Sequence, residues 1–153
     1  MLIETKNFGS VEIDNDKIYT FENGIPGFEE LKKFAIIEET LEDNKKSPFL
    51  WLQSIEDKNI SFILMDVYKI KPDYDPLVYD DDLNSIGEVT ENNLLIYNIV
   101  VIPEVVTKMT VNLKAPVVIN LTTKKGKQMI TKNEDYPIKY YFYEEMKKQN
   151  GGE

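Results

Sequence analysis

The chain has 153 residues, enough for one domain with a sizeable core, and its net charge of −9 would repel the phosphate backbone of nucleic acid. It contains no cysteine and no histidine. All eighteen basic residues are lysines, so arginine is absent as well. This composition excludes disulfides and thiolate chemistry, and it removes both the commonest general base near neutral pH and bidentate recognition of phosphate by arginine.

No apolar run reaches the eighteen residues of a membrane span, and the N-terminal sequence Met1-Leu2-Ile3-Glu4 does not resemble a signal peptide. We therefore expect a cytoplasmic protein that does not contact a membrane.

The first forty residues predict short strands joined by tight turns. Val11 and Ile13 alternate with acidic residues, and Asn15-Asp16 turns the chain toward residues 17–21, which predicts a β-hairpin between these two strands. In Gly24-Ile25-Pro26-Gly27-Phe28, two glycines around a proline permit a tight bend that Ile25 and Phe28 attach to the core. Residues 34–37 form an apolar run that predicts a buried strand.

The middle of the chain continues this pattern. A polar surface loop is predicted over residues 41–48, followed by strands over 49–54 and 60–65. The first of these strands carries the only tryptophan, Trp51, which we interpret as a core anchor. Residues 80–87 predict a short helix, since aspartates favour its N-terminal end and Gly87 ends it.

The most apolar segment, residues 94–102, predicts a central strand. Two further strands are predicted over 106–111 and 117–121, with Asn112-Leu113-Lys114-Ala115-Pro116 bent between them. Asn112 and Asn120 stand where the apolar runs stop, and we interpret them as residues that fix irregular backbone. A glycine turn at Gly126 leads to a predicted strand over 128–131.

About nine strands and one clear helix indicate an all-β fold, a compact and partly open β-barrel-like domain with one or two short helices. We expect a single domain over residues 1–143, followed by a polar tail over 144–153 that is frayed or forms a short helix.

The charge is unevenly distributed along the chain. Residues 72–103 contain no lysine but carry several acids, namely Asp73, Asp75, Asp80, Asp81, Asp82, Glu88 and Glu91. A charge run of this kind is usually a solvated surface, and its alternative role is an electrostatic docking patch for a cationic partner.

Carboxylates offer the only route to an enzyme that the sequence leaves open. Asp80, Asp81 and Asp82 could hold a hard cation such as Mg²⁺ or Ca²⁺, but consecutive carboxylates point in different directions and no EF-hand spacing follows. No catalytic, cofactor-binding or metal-binding residue is assigned. We favour a binding protein, with a carboxylate-based, metal-dependent enzyme on a small β-barrel and a structural adaptor of another kind as alternatives.

Three ordered motifs carry a family resemblance. Gly24-Ile25-Pro26-Gly27-Phe28-Glu29, Pro48-Phe49-Leu50-Trp51-Leu52-Gln53-Ser54 and residues 109–120 occur in the order and at about the spacing of FliW, the flagellar assembly factor of many flagellated bacteria. The turn Gly126-Lys127-Gln128 adds to the likeness, which spans nearly the whole chain from Ile3.

The resemblance implies a β-barrel-like monomer, not an enzyme, that binds two proteins and no nucleic acid directly. One partner is flagellin, held in the cytoplasm through its C-terminal region before export. The other is CsrA, a small dimeric repressor of flagellin mRNA translation. In the family, release of flagellin frees FliW to bind and antagonise CsrA, so translation of flagellin resumes.

We assign candidate interface residues from the charge pattern and the motifs. We place contact with CsrA on the acidic region 73–91 and the adjoining strands over 101–112. The candidates are six acids of the lysine-free segment and two neighbours, Asp73, Asp75, Asp80, Asp81, Asp82, Glu88, Glu104 and Asn112. The candidates for contact with flagellin are the glycine-flanked loop and one strand residue, Ile25, Pro26, Phe28 and Phe49.

Overall fold

The computed structural model describes residues 1–40 and 46–149, so part of the predicted 41–48 loop and the end of the predicted tail lie outside the described residues. The described chain forms strands β1 (Leu2–Thr5), β2 (Gly9–Glu12), β3 (Ile18–Thr20), β4 (Lys33–Thr40), β5 (Lys46–Ser54), β6 (Ser61–Met65), β7 (Leu94–Val101), β8 (Thr110–Val111), β9 (Val117–Asn120), β10 (Lys125–Gln128) and β11 (Tyr140–Tyr141), with helices α1 (Asp80–Asn84) and α2 (Tyr143–Gln149).

Seven of these strands close into a barrel. Strands β3 to β7 pair in sequence as an antiparallel meander, β7 pairs with β9, β9 pairs with β10, and β10 returns to β3. The β10–β3 pairing is parallel, and its register joins Lys125 to Thr20. The predicted all-β, barrel-like fold with short helices is confirmed. The sequence suggested a partly open barrel, whereas the β7–β9 pairing completes a closed ring of strands.

Side-chain alternation along β4 separates the barrel interior from its outer surface. Phe34 and Ile36 point into an inner core, where Phe34 meets Phe21 and Phe62 at ring-centroid distances of 5.4 and 6.1 Å. Ala35 and Ile37 point outward into a second cluster. A strand buried on both faces explains the uninterrupted apolar run in this part of the sequence.

Three parts of the chain pack on the outer surface of the barrel. The β1–β2 hairpin packs on the outer side of β4 and β5, where Trp51 meets Phe8 edge-on at 5.3 Å. Helix α2 and a 3-10 turn at Val67–Lys69 cover β6, β7 and β8. The segment that contains α1 covers β9 and β10. Trp51 is therefore an anchor between the hairpin and the barrel.

Three strand predictions were wrong in detail. Strand β2 pairs with β1, and β3 pairs with β4, because Asn15–Lys17 forms a 3-10 turn that separates β2 from β3. Residues Val106–Lys108 form a 3-10 turn, so the strand predicted over 106–111 is reduced to β8. The last barrel strand is β10, earlier in the chain than the predicted 128–131.

Glycines act at the positions where the backbone requires them. Gly24 has a φ of +65°, and a Cβ there would lie 2.6 Å from the Cα of Glu29, which explains the tight bend of the 24–28 loop. Gly87 ends the α1 segment with a φ of +92°, as the sequence indicated.

Neither helix in the described part of the chain is long and apolar enough to cross a membrane.

Candidate protein-binding surface

The first part of the acidic segment lies against the sheet edge formed by β8 and β11. Tyr74 is buried, and its hydroxyl donates to the carbonyl oxygen of Leu113 at 2.7 Å. The amide of Asp75 donates to the hydroxyl of Tyr136 at 2.8 Å. Asp73 is exposed and pairs with Lys71 at 3.3 Å. The carboxylates of Asp73 and Asp75 therefore face solvent beside this edge.

The three aspartates of α1 do not form one cluster of equal members. Asp80 and Asp81 are exposed, whereas the carboxylate of Asp82 lies 2.8 Å from Nζ of Lys127, with both side chains only about a quarter exposed. Asp82 therefore attaches α1 to β10. Among the described residues, no group of three or more acidic side chains is arranged to hold a metal ion.

Glu88 lies near the same end of the barrel as α1. Its carbonyl oxygen and that of Ile86 each accept a hydrogen bond from Nδ2 of Asn120 at 3.0 Å. The Oδ1 atom of Asn120 accepts from the amides of Thr122 and Thr123. The predicted role of Asn120 in fixing irregular backbone is confirmed. The side chain of Glu88 is exposed.

The structure divides the candidate CsrA residues between two places. Asn120, beside Glu88, pairs with Leu94 at one end of β7, whereas Thr110 pairs with Val101 at the other end. These ends of β7 are roughly 23 Å apart along the strand. Asp73, Asp75 and Glu104 therefore lie toward the Val101 end, and Asp80, Asp81 and Glu88 lie toward the Leu94 end.

The most unusual surface feature is the segment 101–108, which links β7 to β8. All eight of its residues are exposed, and five of them are apolar: Val101, Ile102, Pro103, Val105 and Val106. Contiguous exposed apolar surface is characteristic of protein-binding sites. The sequence predicted strands at both ends of this segment, over 94–102 and 106–111, although Pro103 and Glu104 interrupt the apolar run and signal a loop.

The apolar surface continues onto β11. Val101 pairs with Thr110, and Thr110 pairs with Tyr141, so the three side chains lie in a row on one face of the sheet. Val101 is 60% exposed and Tyr141 is 62% exposed, while Thr110 is buried between them. We call Val101–Lys108 together with Tyr141 the β7–β8 surface.

Asn112 has a structural position beside this surface. Its Oδ1 accepts from the amide of Ala115 at 3.0 Å, and its carbonyl oxygen accepts from Nδ2 of Asn98. The hydroxyl of Tyr74 also accepts from Asn98, and burial raises the pKa of Tyr74. Asn112 thus holds the bend between β8 and β9.

The candidate flagellin residues are mostly parts of the core. Ile25 is only 2% exposed, and Phe28 is half-buried with its ring edge-on to Phe62 at 5.4 Å, so both pack mainly into the core. Phe49 is half-buried against Phe142. Pro26 alone of the four is exposed. Packing against the core at the tight bend therefore explains why this loop carries Ile25 and Phe28.

Comparisons with known proteins agree with one another. A family model described as FliW protein matches residues 2–142. The chain is 46% identical over 147 residues to a flagellar assembly factor FliW of Thermoanaerobacter pseudethanolicus, covering 96% of each chain. It is 42% identical over 145 residues to the protein of that name from Caldicellulosiruptor saccharolyticus, covering 95% of this chain and 92% of the relative.

A solved structure extends the likeness to the fold. The crystal structure of a flagellar assembly factor FliW superposes with a TM-score of 0.81 at 34% sequence identity, covering 93% of this chain and 96% of the other.

Proposed function

The chain belongs to the FliW family of flagellar assembly factors, and we propose that it acts in the cytoplasm as a binding protein with two exchanging partners. Flagellin occupies it before export. After flagellin leaves, it binds the translational repressor CsrA and relieves repression of flagellin mRNA.

The β7–β8 surface is the observation that carries this proposal. It offers contiguous exposed apolar residues on a protein of net charge −9, and an apolar centre is the arrangement found in protein interfaces. Lys71, the partner of Asp73, lies over the ring of Tyr140, which is next to Tyr141 in the sequence. We take the exposed carboxylates of Asp73 and Asp75 as the charged rim of the surface. We assign contact with CsrA to this surface and its rim.

Charge gives a physical reason for the antagonism. A protein of net charge −9 that is bound beside an RNA-binding surface raises the free energy of bringing a phosphate chain close. Counterions screen this repulsion within about 10 Å at moderate salt, so the antagonism should weaken as salt increases.

Exchange of partners follows from linkage. If flagellin and CsrA exclude each other, then each lowers the apparent affinity of the other by the same factor. The switch therefore requires no change in the fold of the barrel.

Substitution of exposed apolar residues tests the assignment. We expect Val105→Ser with Val106→Ser to weaken CsrA binding at least about tenfold, because exposed side chains contribute apolar contact without supporting the core. Ile130→Ser is the matched control, since Ile130 is also an exposed aliphatic side chain but lies outside the β7–β8 surface. Titration calorimetry measures both affinities, and equal values for variant and control would refute the assignment.

Charge reversal locates the electrostatic contact. We expect Asp73→Lys with Asp75→Lys to weaken CsrA binding at low salt more than Asp80→Lys with Asp81→Lys, because the two pairs lie toward opposite ends of β7. Asp82 is left unchanged, since its reversal would oppose Lys127. A larger effect of the α1 pair would move the contact to the other end of the barrel.

The exchange itself is tested with purified proteins. Labelled CsrA bound to the protein should be displaced by added flagellin, and the protein should release a flagellin-transcript fragment from CsrA. A stable complex of all three proteins would contradict mutual exclusion.

A further inference from the structure

One end of the barrel is open and forms a groove centred on Tyr97. Cavities of about 540, 160 and 230 Å³ meet there, and Tyr97 lines all three. Glu38 lines the first and second, and Asp66 lines the second and third. These shared residues make the cavities parts of one groove, which we call the Tyr97 groove.

The floor of the groove is apolar because the inner core of the barrel reaches the opening. Ile36, Leu95 and Leu121 pack against the inner core but are only partly buried, and all three line the largest cavity. Apolar side chains left partly exposed in a concave site favour an apolar ligand group.

The walls of the groove place carboxylates beside tyrosine rings. Burial, followed by the carboxylates of Asp66 and Glu38, raises the pKa of Tyr97. On one side of Tyr97, burial and then Asp16 raise the pKa of Tyr19. Glu38 and Asp66, the carboxylates that act on Tyr97, both line the groove beside its ring.

Some of the chain's own lysines border the groove, but their contacts with aromatic rings are made on tyrosines other than Tyr97. Lysines lie over the rings of Tyr19, Tyr79 and Tyr140 at 5.2 to 5.9 Å. No such contact forms on Tyr97 within residues 1–40 and 46–149. Lys17, Lys69 and Lys124 border the groove, but within the same residues none of them is ion-paired with Glu38 or Asp66.

We propose that the Tyr97 groove binds a segment of a partner protein in which a large apolar side chain is flanked by lysine or arginine. The apolar side chain contacts Ile36, Leu95 and Leu121, and the flanking cation lies between Glu38 and Asp66 against the Tyr97 ring. Carboxylates beside an aromatic face form a favourable environment for an ammonium or guanidinium group.

This site goes beyond the partner exchange proposed above. The groove shares no residue with the β7–β8 surface, and its ligand is defined by chemistry without reference to CsrA or flagellin. Loss of binding at one of the two surfaces therefore leaves the other available for measurement.

Short synthetic peptides test the site directly. We use three dye-labelled peptides of equal length, in which leucine alternates with lysine, leucine with glutamate, or serine with lysine. By fluorescence anisotropy at low salt, the leucine–lysine peptide should bind at least about tenfold more tightly than the other two, because only it supplies both groups. Equal binding of either control peptide, or no binding of the leucine–lysine peptide, would overturn the proposal.

A variant in which two carboxylates of the groove are replaced by amides tests where the peptide binds. Glu38→Gln with Asp66→Asn should reduce affinity for the leucine–lysine peptide about fivefold. Asparagine at position 66 can still accept the hydrogen bond that Asp66 receives from the amide of Tyr68. The control, Asp80→Asn with Asp81→Asn, removes the same charge from α1 and should change affinity less than about twofold. A groove variant that matches the control would place the peptide elsewhere.

Methyl NMR provides a second readout that does not depend on the charges. Addition of the leucine–lysine peptide should shift the methyl signals of Ile36, Leu95 and Leu121. If the shifts are confined to Val101, Val105 and Val106, the peptide binds the β7–β8 surface and the assignment to the groove is wrong.

Discussion

Asn120 shows how much of this fold depends on single polar residues. It is fully buried at the end of β9, and its amide group bonds the segment after α1 on one side and the turn before β10 on the other. Apolar packing alone cannot satisfy the backbone groups of these two irregular segments, so one side chain does so for both.

We expect Asn120→Ala to lower the free energy of unfolding by about 3 kcal/mol, because it leaves buried carbonyl and amide groups without partners. Asn112→Ala removes one hydrogen bond from a half-buried side chain and should cost about 1 kcal/mol. Urea denaturation measures both. Similar losses for the two variants would mean that burial of Asn120 does not determine its contribution.

At the scale of one element, strand β10 shows how close packing restricts the residue type at a single position. A Cβ atom at Gly126 would lie 2.6 Å from Cζ of Phe21, which is itself fully buried. The strand can approach the inner core only because this position has no side chain.

Gly126→Ala should therefore lower the free energy of unfolding by about 2 kcal/mol through overpacking. In the double variant with Phe21→Leu, the penalty of the alanine should fall, giving a coupling of about 1 kcal/mol between the two positions. Additive effects would show that the penalty does not arise from the contact with Phe21.

The attachment of α1 to the barrel is electrostatic as well as apolar. Asp82→Asn should lower the free energy of unfolding by about 1 kcal/mol, since the Lys127 pair is largely shielded from water, whereas Asp80→Asn should have little effect. Lys127→Met should abolish the difference between the two aspartates. Thermal unfolding at several salt concentrations measures the difference in stability between these variants. An equal effect of both aspartate variants would argue against a stabilising Asp82–Lys127 ion pair.

Elements with a clear hydrophobic period were predictable from the sequence, but their partners often were not. The runs that became β4 to β7 and the aspartates that open α1 carry strong local signals. The pairing of β2 with β1 depends on the turn over residues 6–8, and the alternation of a strand does not indicate which neighbour it pairs with.

The candidate site was predictable only in part for a related reason. Composition revealed the acidic segment, yet only the fold shows that Asp73 and Asp80 lie toward opposite ends of β7 and that Asp82 is paired. Val105 and Val106 have the composition of a buried strand, and only tertiary structure reveals that they are exposed. Ile25 and Phe28 illustrate the opposite case, since a loop motif that suggested binding serves core packing.

At the scale of the whole molecule, the tyrosines form a pH-sensitive group in a protein without histidine. Burial raises the pKa of Tyr19, Tyr68, Tyr74 and Tyr97 above the ordinary value of a phenol. The folded state therefore keeps these phenols neutral at a pH where the unfolded chain releases their protons.

The sign of the effect follows from that difference. The contribution of these tyrosines to stability is complete below about pH 10 and is lost as the pH rises above it, because the unfolded state gains by ionising. Urea unfolding across this range should show a declining free energy of unfolding. Tyr74→Phe should reduce the decline, and Tyr141→Phe serves as the control because its side chain is exposed. A decline that Tyr74→Phe leaves unchanged would contradict this origin.

The short parallel contact between β3 and β10 has a consequence for the order in which the protein is made. Strands β3 to β7 pair with neighbours in the sequence and can assemble while later residues are still being synthesised. The ring closes only when Lys125 reaches Thr20, so the nascent meander waits, open along one edge, until most of the chain has left the ribosome. The seam is thus the last barrel pairing that the growing chain can make, and until it forms the unpaired edge of β3 is open to wrong pairing.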